Sequence, residues 1–375
     1  MLFGLLLTFA LFGCSGLPAT PKAAPPEQPQ AVQSADKPSA VSTPPAVPAV
    51  QPTWTYDAPG VRTPLERTGP EIILNSYQGG SNAWLFLDAR GQATAPSFSL
   101  GGRQAGGLRH GRWQGSVTPD FSRILVQTGE TEYKVIDRTG QTLWHGQLRQ
   151  GKTGSDLYLL PDGKTLLTTV TNENGDGIST VATDLSDRVL WKLEGNQAGD
   201  LLYASDKELI LGNYDAVWRM GLDGKGRKDL PVGGLKDDGW VISADGSAIA
   251  SRNKQGGKLF DADGRLLAQL PAGETVELSS DGQRVLVSLG KGGYTMLDRQ
   301  GRELWRLSFP AELSAHALSP DGTRFLGVSR SKPDESLLAT LYDRTGKPVW
   351  QSKLAPIPDF PKAQVEAAID AENRL

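Results

Sequence analysis

Cysteine is almost absent from this chain. Cys14 stands alone in 375 residues, so no intrachain disulfide can form. Histidine is nearly as scarce: only His110, His145 and His316 occur, without a second histidine or a cysteine at ligand spacing. Zinc and copper sites are therefore not expected, and no metal-ligating residue is assigned. Charge of one sign is missing too, with 39 Lys and Arg against 42 Asp and Glu. A general nucleic-acid binder needs a basic field to release counterions from phosphates, so no nucleic-acid partner is expected. The sequence also lacks a Gly-x-Ser-x-Gly elbow, a Walker loop and a Gly-x-Gly-x-x-Gly turn ahead of a helix. No catalytic or cofactor-binding residue is assigned on these grounds, and no cofactor is expected.

What is present begins with "MLFGLLLTFALFGCSG". Thirteen residues, nearly all apolar, precede Cys14. Such a run is too short to span a bilayer as a mature helix, but it has the length of the apolar core of a secretion signal. "LFGC" resembles the bacterial lipoprotein box, with a leucine three before the cysteine and Gly13 immediately before it. It departs from that family in having no Lys or Arg ahead of the apolar run. The resemblance implies a signal peptide over 1–13, cleaved before Cys14, whose sulfur takes diacylglycerol and whose amine takes a further acyl chain such as palmitate. Ser15 follows where some lipoproteins carry the aspartate that retains them in the inner membrane. An outer-membrane or cell-surface location is the expectation.

Residues 14–52 read as the lipidated cysteine and a linker. From Gly16 to Pro52 the segment holds ten prolines and no aromatic residue. It cannot bury enough apolar area to offset the entropy of ordering, and proline biases it toward an extended stalk.

Beyond the linker the chain repeats itself. "DRTGQTLWHGQL" from Asp137 returns as "DRQGRELWRLSF" from Asp298 and "DRTGKPVWQSKL" from Asp343. Counting close variants, such turns start at Asp88, Asp137, Asp184, Asp223, Asp261, Asp298 and Asp343, 37 to 49 residues apart. A second phrase of the type "SPDG" precedes six of them, with its aspartate at Asp120, Asp162, Asp206, Asp245, Asp281 or Asp321. The period is that of a four-stranded propeller blade. Within one period, Thr275 to Ala311, the runs "TVELS", "RVLVSLG", "GYTMLD" and "ELWRLSF" alternate with Asp/Gly turns. The repeated aspartates thus have a local cause in turn chemistry rather than a catalytic one. Trp144, Trp191, Trp305 and Trp350 each lie seven residues past a turn aspartate, with Ala95, Leu230 and Ala268 at the equivalent places. They are expected to wedge between blades.

The turn-plus-tryptophan half resembles the pyrroloquinoline-quinone-type propeller repeat, and the "SPDG" half resembles WD-type and TolB-type repeats. The quinone-type motif usually has one more residue between Asp and Gly. The likeness covers Glu71 to Leu354 and implies an all-β, seven-bladed β-propeller over 53–356, with a short helical tail at 357–375. The first unit shows only three strands. The missing one is expected from "TWTYD" (Thr53 to Asp57) in preference to the tail. Quinoprotein dehydrogenases resemble the repeat but are longer and eight-bladed, so quinone is not expected. The loop "TNENGDGIST" resembles half of a calcium loop in Asn172, Asn174 and Asp176, yet Thr183 stands where the final glutamate belongs. A plain hairpin connection is expected there.

Together these features describe a monomeric lipoprotein of the cell envelope. It is anchored in the membrane through Cys14, and its propeller binds a protein or another envelope component. Propeller lipoproteins of outer-membrane assembly machines resemble this plan. The competing classes are a propeller hydrolase or lyase with its site at the channel mouth, and a small-ligand or calcium sensor. Clustered inward-facing carboxylates and histidines would favour the enzyme.

Overall fold

A computed structural model describes residues 71–78, 81–88, 92, 94, 98–101 and 103–104. It also describes 117–354, with interruptions at 121, 129–130, 149–154, 172–176, 235–238, 254, 311–312 and 331–336. Cys14, the linker, residues 53–57, His110, the calcium-like loop at 172–176 and the tail at 357–375 lie outside the described residues. Among the described residues no helix is long and apolar enough to cross a membrane.

Sheet 1 consists of Glu71–Gln78, Ser81–Asp88 and Phe98–Gly101. Six four-stranded sheets follow. Sheet 2 runs from Arg103–Gln104 to Thr142–Gln147 and sheet 3 from Ser155–Leu159 to Val189–Glu194. Sheet 4 runs from Asp200–Ala204 to Lys228–Leu230 and sheet 5 from Gly239–Ile242 to Leu266–Leu270. Sheet 6 runs from Thr275–Leu278 to Glu303–Ser308 and sheet 7 from Ala315–Leu318 to Pro348–Leu354. Every sheet is an antiparallel meander of strands consecutive in sequence. The first strands of sheets 4, 5 and 6 pack on one another in turn, and the first strands of sheets 3 and 4 pack on the second strands of the sheets before them, which places first strands on the inside of a β-propeller.

The core lies between sheets. Leu125 and Val135 of sheet 2 meet Leu157 and Leu166 of sheet 3, and Leu167 and Ala182 of sheet 3 meet Leu209 and Trp218 of sheet 4. Ile210 and Val217 meet Ile249 and Phe260, and Ala250 and Leu259 meet Val276 and Val285. Alternation along each strand produces this: each face of a sheet is apolar because each face has a neighbour.

The turn between third and fourth strands closes with the same pair of backbone hydrogen bonds in all six four-stranded sheets, and in five of them an aspartate opens it. In sheet 2 the Asp137 carboxylate accepts the amides of Thr139 (2.8 Å) and Gln141 (2.9 Å). The amide of Gly140, at φ 83°, donates to the Asp137 carbonyl. The left-handed glycine leaves a bulge in the ladder beside the turn, between Val135 and Ile136.

Sheet 4 departs from the sequence reading. Its third turn starts at Gly221, not Asp223: the Gly221 amide donates to Lys225 and the Gly224 amide to Gly221. The residue seven positions on is then Lys228, which pairs with Arg219, and not Leu230. Backbone hydrogen bonds close this turn from Gly221, and the aspartate sits two places late, its carboxylate accepting the Lys225 amide (3.1 Å) from inside the turn. Its first turn differs as well. Four residues separate the paired Ala204 and Leu209, whereas six separate Ile242 from Ile249 in sheet 5.

Candidate interaction face

In a meander of four strands, the first and third turns share one end and the other connections share the opposite end. The turn end is knitted together. The Asp245 amide donates to Ser280 O (3.0 Å) and the Ser280 amide to Pro320 O (2.6 Å), linking the first turns of sheets 5, 6 and 7. Arg299 donates to Ser247 O (2.8 Å), Arg219 to Gly246 O (2.6 Å), and Arg123 to Gly163 O. Farther out, in sheets 2 to 6, the residue seven places past the start of the third turn reaches the third turn of the next sheet. Trp144 donates its indole N–H to Asp187 Oδ1 (2.8 Å), and Trp191 donates to Leu222 O (2.8 Å). Lys228 pairs with Asp263 (2.7 Å), Ala268 faces Gly301, and Trp305 lies against Gly346. Tryptophan, lysine and alanine all serve at one position, because the neighbouring turn offers backbone, carboxylate or bare glycine in answer.

The side chains of this end are largely spent on each other. Thr139 and Thr345 hydroxyls, with backbone amides, hold the Asp137 and Asp343 carboxyls below the usual value. The shortened first turn of sheet 4 leaves a cleft of about 520 Å³ lined by Tyr203, Ser205, Asp206, Glu208 and Asp245. Two of its three acids already have partners, Glu208 with Arg219 (2.6 Å) and Asp245 with Ser243 (2.7 Å).

The opposite end is uneven. Among sheets 2 to 7 its connections run from two residues (291–292) to eight (231–238). At sheet 4 three of them come together. The buried Asn213 side chain donates to Asn196 O (3.1 Å) and Ala198 O (3.2 Å) and accepts from the amides of Asp215 and Ala216. Gly234 comes so close to the Tyr214 carbonyl that a Cβ there would lie 2.0 Å from it. Tyr214 projects from this braced base with 49% of its surface exposed. Of the seven large hydrophobic residues exposed among the described residues, the other six occupy the first two positions of fourth strands. Tyr214 alone is offered by a connection. No sequence motif marked it. The signal available was a tyrosine in a four-residue link between apolar strands.

One ionisable pair sits on inner strands. His316 Nε2 lies 2.6 Å from Glu277 Oε1, joining sheets 6 and 7, and Tyr294 OH lies 3.5 Å from Nδ1. Tyr294 and Phe325 rings flank the imidazole at 5.2 and 6.2 Å. Burial pushes the His316 pKa down, but the hydrogen bond and charge of Glu277 outweigh it, and the net shift is upward. His145 lies exposed on a fourth strand, away from this pair. Among the described residues no group of His, Cys, Asp and Glu could hold a metal ion.

Residues 215–373 match a family model described as outer membrane protein assembly factor BamB. No curated protein matches the sequence. Among solved structures, BamB from Moraxella catarrhalis aligns with a TM-score of 0.50 at 14% identity, over 77% of this chain and 84% of that one. A eukaryotic initiation factor gives 0.44 at 13% identity, over 76% and 83%. The Cps50 (Swd1) β-propeller domain of Myceliophteria thermophila gives 0.40 at 14%, over 68% and 87%. Sheet by sheet, and by the likeness to the BamB fold, the described residues form a β-propeller, and residues 215–373 are similar to that family's quinone-type repeats.

Proposed function

We propose that this protein is a lipid-anchored scaffold of the cell envelope that holds a protein partner on the loop-bearing end of its propeller. The observation that carries this reading is the contrast between the two ends. One end consumes its polar groups in sheet-to-sheet hydrogen bonds; the other presents Tyr214 on three connections braced against each other. A large, rigid, half-polar side chain on a preorganised base gives contact area at small entropic cost, which is how tyrosine becomes a binding hot spot. The match of residues 215–373 to an assembly-factor family supports a binding role over a catalytic one. Cys14 would carry the lipid, with the proline-rich stalk setting the height of a monomeric propeller above an outer-membrane or surface attachment.

A photo-crosslinking residue placed at Tyr214, and separately at Thr345 on the turn end, tests the assignment in intact cells. One discrete adduct at position 214 and none at 345 is expected. Equal labelling at both positions, or no adduct at 214, overturns it.

A further inference from the structure

A first strand turns alternate side chains to the sheet before it and to the sheet after it. Counted back from the first-turn aspartate, the residue five places earlier faces the preceding sheet and the residue four places earlier faces the following one. Between sheets 3 and 4 this puts Tyr158 and Leu201 into one apolar cluster. Between sheets 4 and 5 it does the same for Leu202 and Trp240, and between sheets 5 and 6 for Val241 and Val276. Between sheets 6 and 7 the same two places hold Glu277 and His316, whose carboxylate and imidazole meet at 2.6 Å. One seam thus has an ionisable pair where three others have apolar ones.

The pair is coupled to the loop-bearing end. Tyr294, on the third strand of sheet 6, has its hydroxyl 3.5 Å from His316 Nδ1 and its ring edge-on to Phe309 at 5.9 Å. Phe309 begins the connection 309–314 from sheet 6 to sheet 7, and its ring also meets Tyr342 at 5.9 Å. Leu313 joins the same buried cluster. Gly327 makes room for both, since a Cβ there would lie 3.1 Å from Leu313 and 3.3 Å from Phe309. The connection is thus seated on the aromatic group that flanks the imidazole. The elements packed around His316 bring Glu277 and Tyr294 from sheet 6, and Phe325 and Tyr342 from sheet 7. Glu277 is the one charged side chain among them, and 24% of the His316 side chain stays exposed, which gives protons access.

With the imidazole protonated, both ring nitrogens donate, Nε2 to the Glu277 carboxylate and Nδ1 to the Tyr294 oxygen. With it neutral, Nε2 keeps its hydrogen on Glu277, Nδ1 becomes an acceptor, and the Tyr294 hydroxyl must turn round to donate. The partly buried carboxylate then lacks a counter-charge, which weakens the seam. We infer that Glu277 and His316 form a proton-operated latch between sheets 6 and 7, and that its state governs how firmly the connection 309–314 is held at the loop-bearing end. Protons tighten the connection and their loss loosens it. This deepens the proposed function and rests on it: a partner at that end meets a firmer surface in acid than in base.

With three histidines in the chain, the His316 imidazole can be assigned by NMR from the resonance that His316→Leu removes. In the full chain its titration midpoint is expected above the ordinary 6.5, and Glu277→Gln, which keeps the shape but not the charge, should lower it. Hydrogen exchange at 309–314, corrected for the intrinsic effect of pH on exchange, should show protection about fivefold or more lower above that midpoint than below it. The double substitution Glu277→Leu with His316→Leu restores an apolar pair, so its protection should not depend on pH. Should the double variant not fold, Glu277→Gln must by itself remove most of the pH response. Protection that is the same on both sides of the midpoint overturns the latch, as does a pH response that survives loss of the Glu277 charge. The crosslink at Tyr214 is a separate readout: its failure with exchange as expected sinks the partner site and leaves the latch standing.

Discussion

Asp187 holds a left-handed conformation, φ 61°, at the turn position where the other described third turns have glycine. Its carboxylate explains the exception, since Oδ1 accepts the Trp144 indole N–H. Strain at such a residue and one net hydrogen bond are each worth about 1 kcal/mol, so they nearly offset. Asp187→Asn should therefore be close to neutral, Asp187→Gly should change stability by less than about 1 kcal/mol, and Asp187→Ala should cost about 1–2 kcal/mol. Urea midpoints at constant m-value decide the order, and Ala equal to Gly would remove the strain from the account. His316 makes a prediction in pH. Its folded imidazole keeps the proton to higher pH than the ordinary value of 6.5, through Glu277 and against the pull of burial. The link therefore contributes fully below the ordinary value and is lost as pH rises through the folded one. The melting temperature of the unaltered protein, relative to His316→Leu, should fall as pH rises above the ordinary histidine value of 6.5. A constant difference would show that the pair does not titrate in this range.

The outer strands show how far an element can be read before it is seen. The sheet 6 fourth strand, Glu303–Ser308, places Trp305 at 7% exposure, 5.6 Å from the Phe325 ring and against the sheet 7 turn at Gly346. Trp305→Ala should cost about 3–5 kcal/mol, as core aromatic truncations do. Trp144, only partly buried, should cost less. An unchanged melting temperature for Trp305→Ala would show that this contact does not hold the sheets together. Strand order and the tryptophan contacts were legible in the sequence because each turn writes its own chemistry: an acceptor first, then a residue free to adopt positive φ. Sheet 4 was misread where that chemistry is weakest. Gly221 has no acceptor to announce the turn, and Lys228 performs by charge what tryptophan performs elsewhere by contact. Tyr214 was not legible at all, because exposure and bracing come from three connections distant in sequence. The Glu277–His316 link was hidden for the same reason: it joins residues 39 positions apart on different sheets.

At the scale of the molecule, the described sheets tie their turns together by sheet-to-sheet hydrogen bonds at one end and carry their irregular connections at the other. Such a scaffold can position a partner only if it is itself positioned. Cys14 is the one residue that could provide this covalently, since no other cysteine exists to take a thioether-linked diacylglycerol. Two acyl chains bind a membrane firmly where one binds only marginally, at about 0.8 kcal/mol for each buried methylene. The segment from Gly16 to Pro52 contains 37 residues. In the proposed reading, an extended proline-rich conformation at about 3.1 Å per residue would give it a reach on the order of 100 Å. Cys14→Ser keeps the size and polarity of the side chain but removes the acceptor sulfur. The variant should then leave the membrane fraction as a soluble propeller, or accumulate with its leader uncut, while the melting temperature of its folded part stays unchanged. Fractionation, intact-mass measurement and a thermal melt on one preparation separate these effects. A Cys14→Ser protein that stays with membranes and matures at its normal mass would show that something other than lipid holds the scaffold in place.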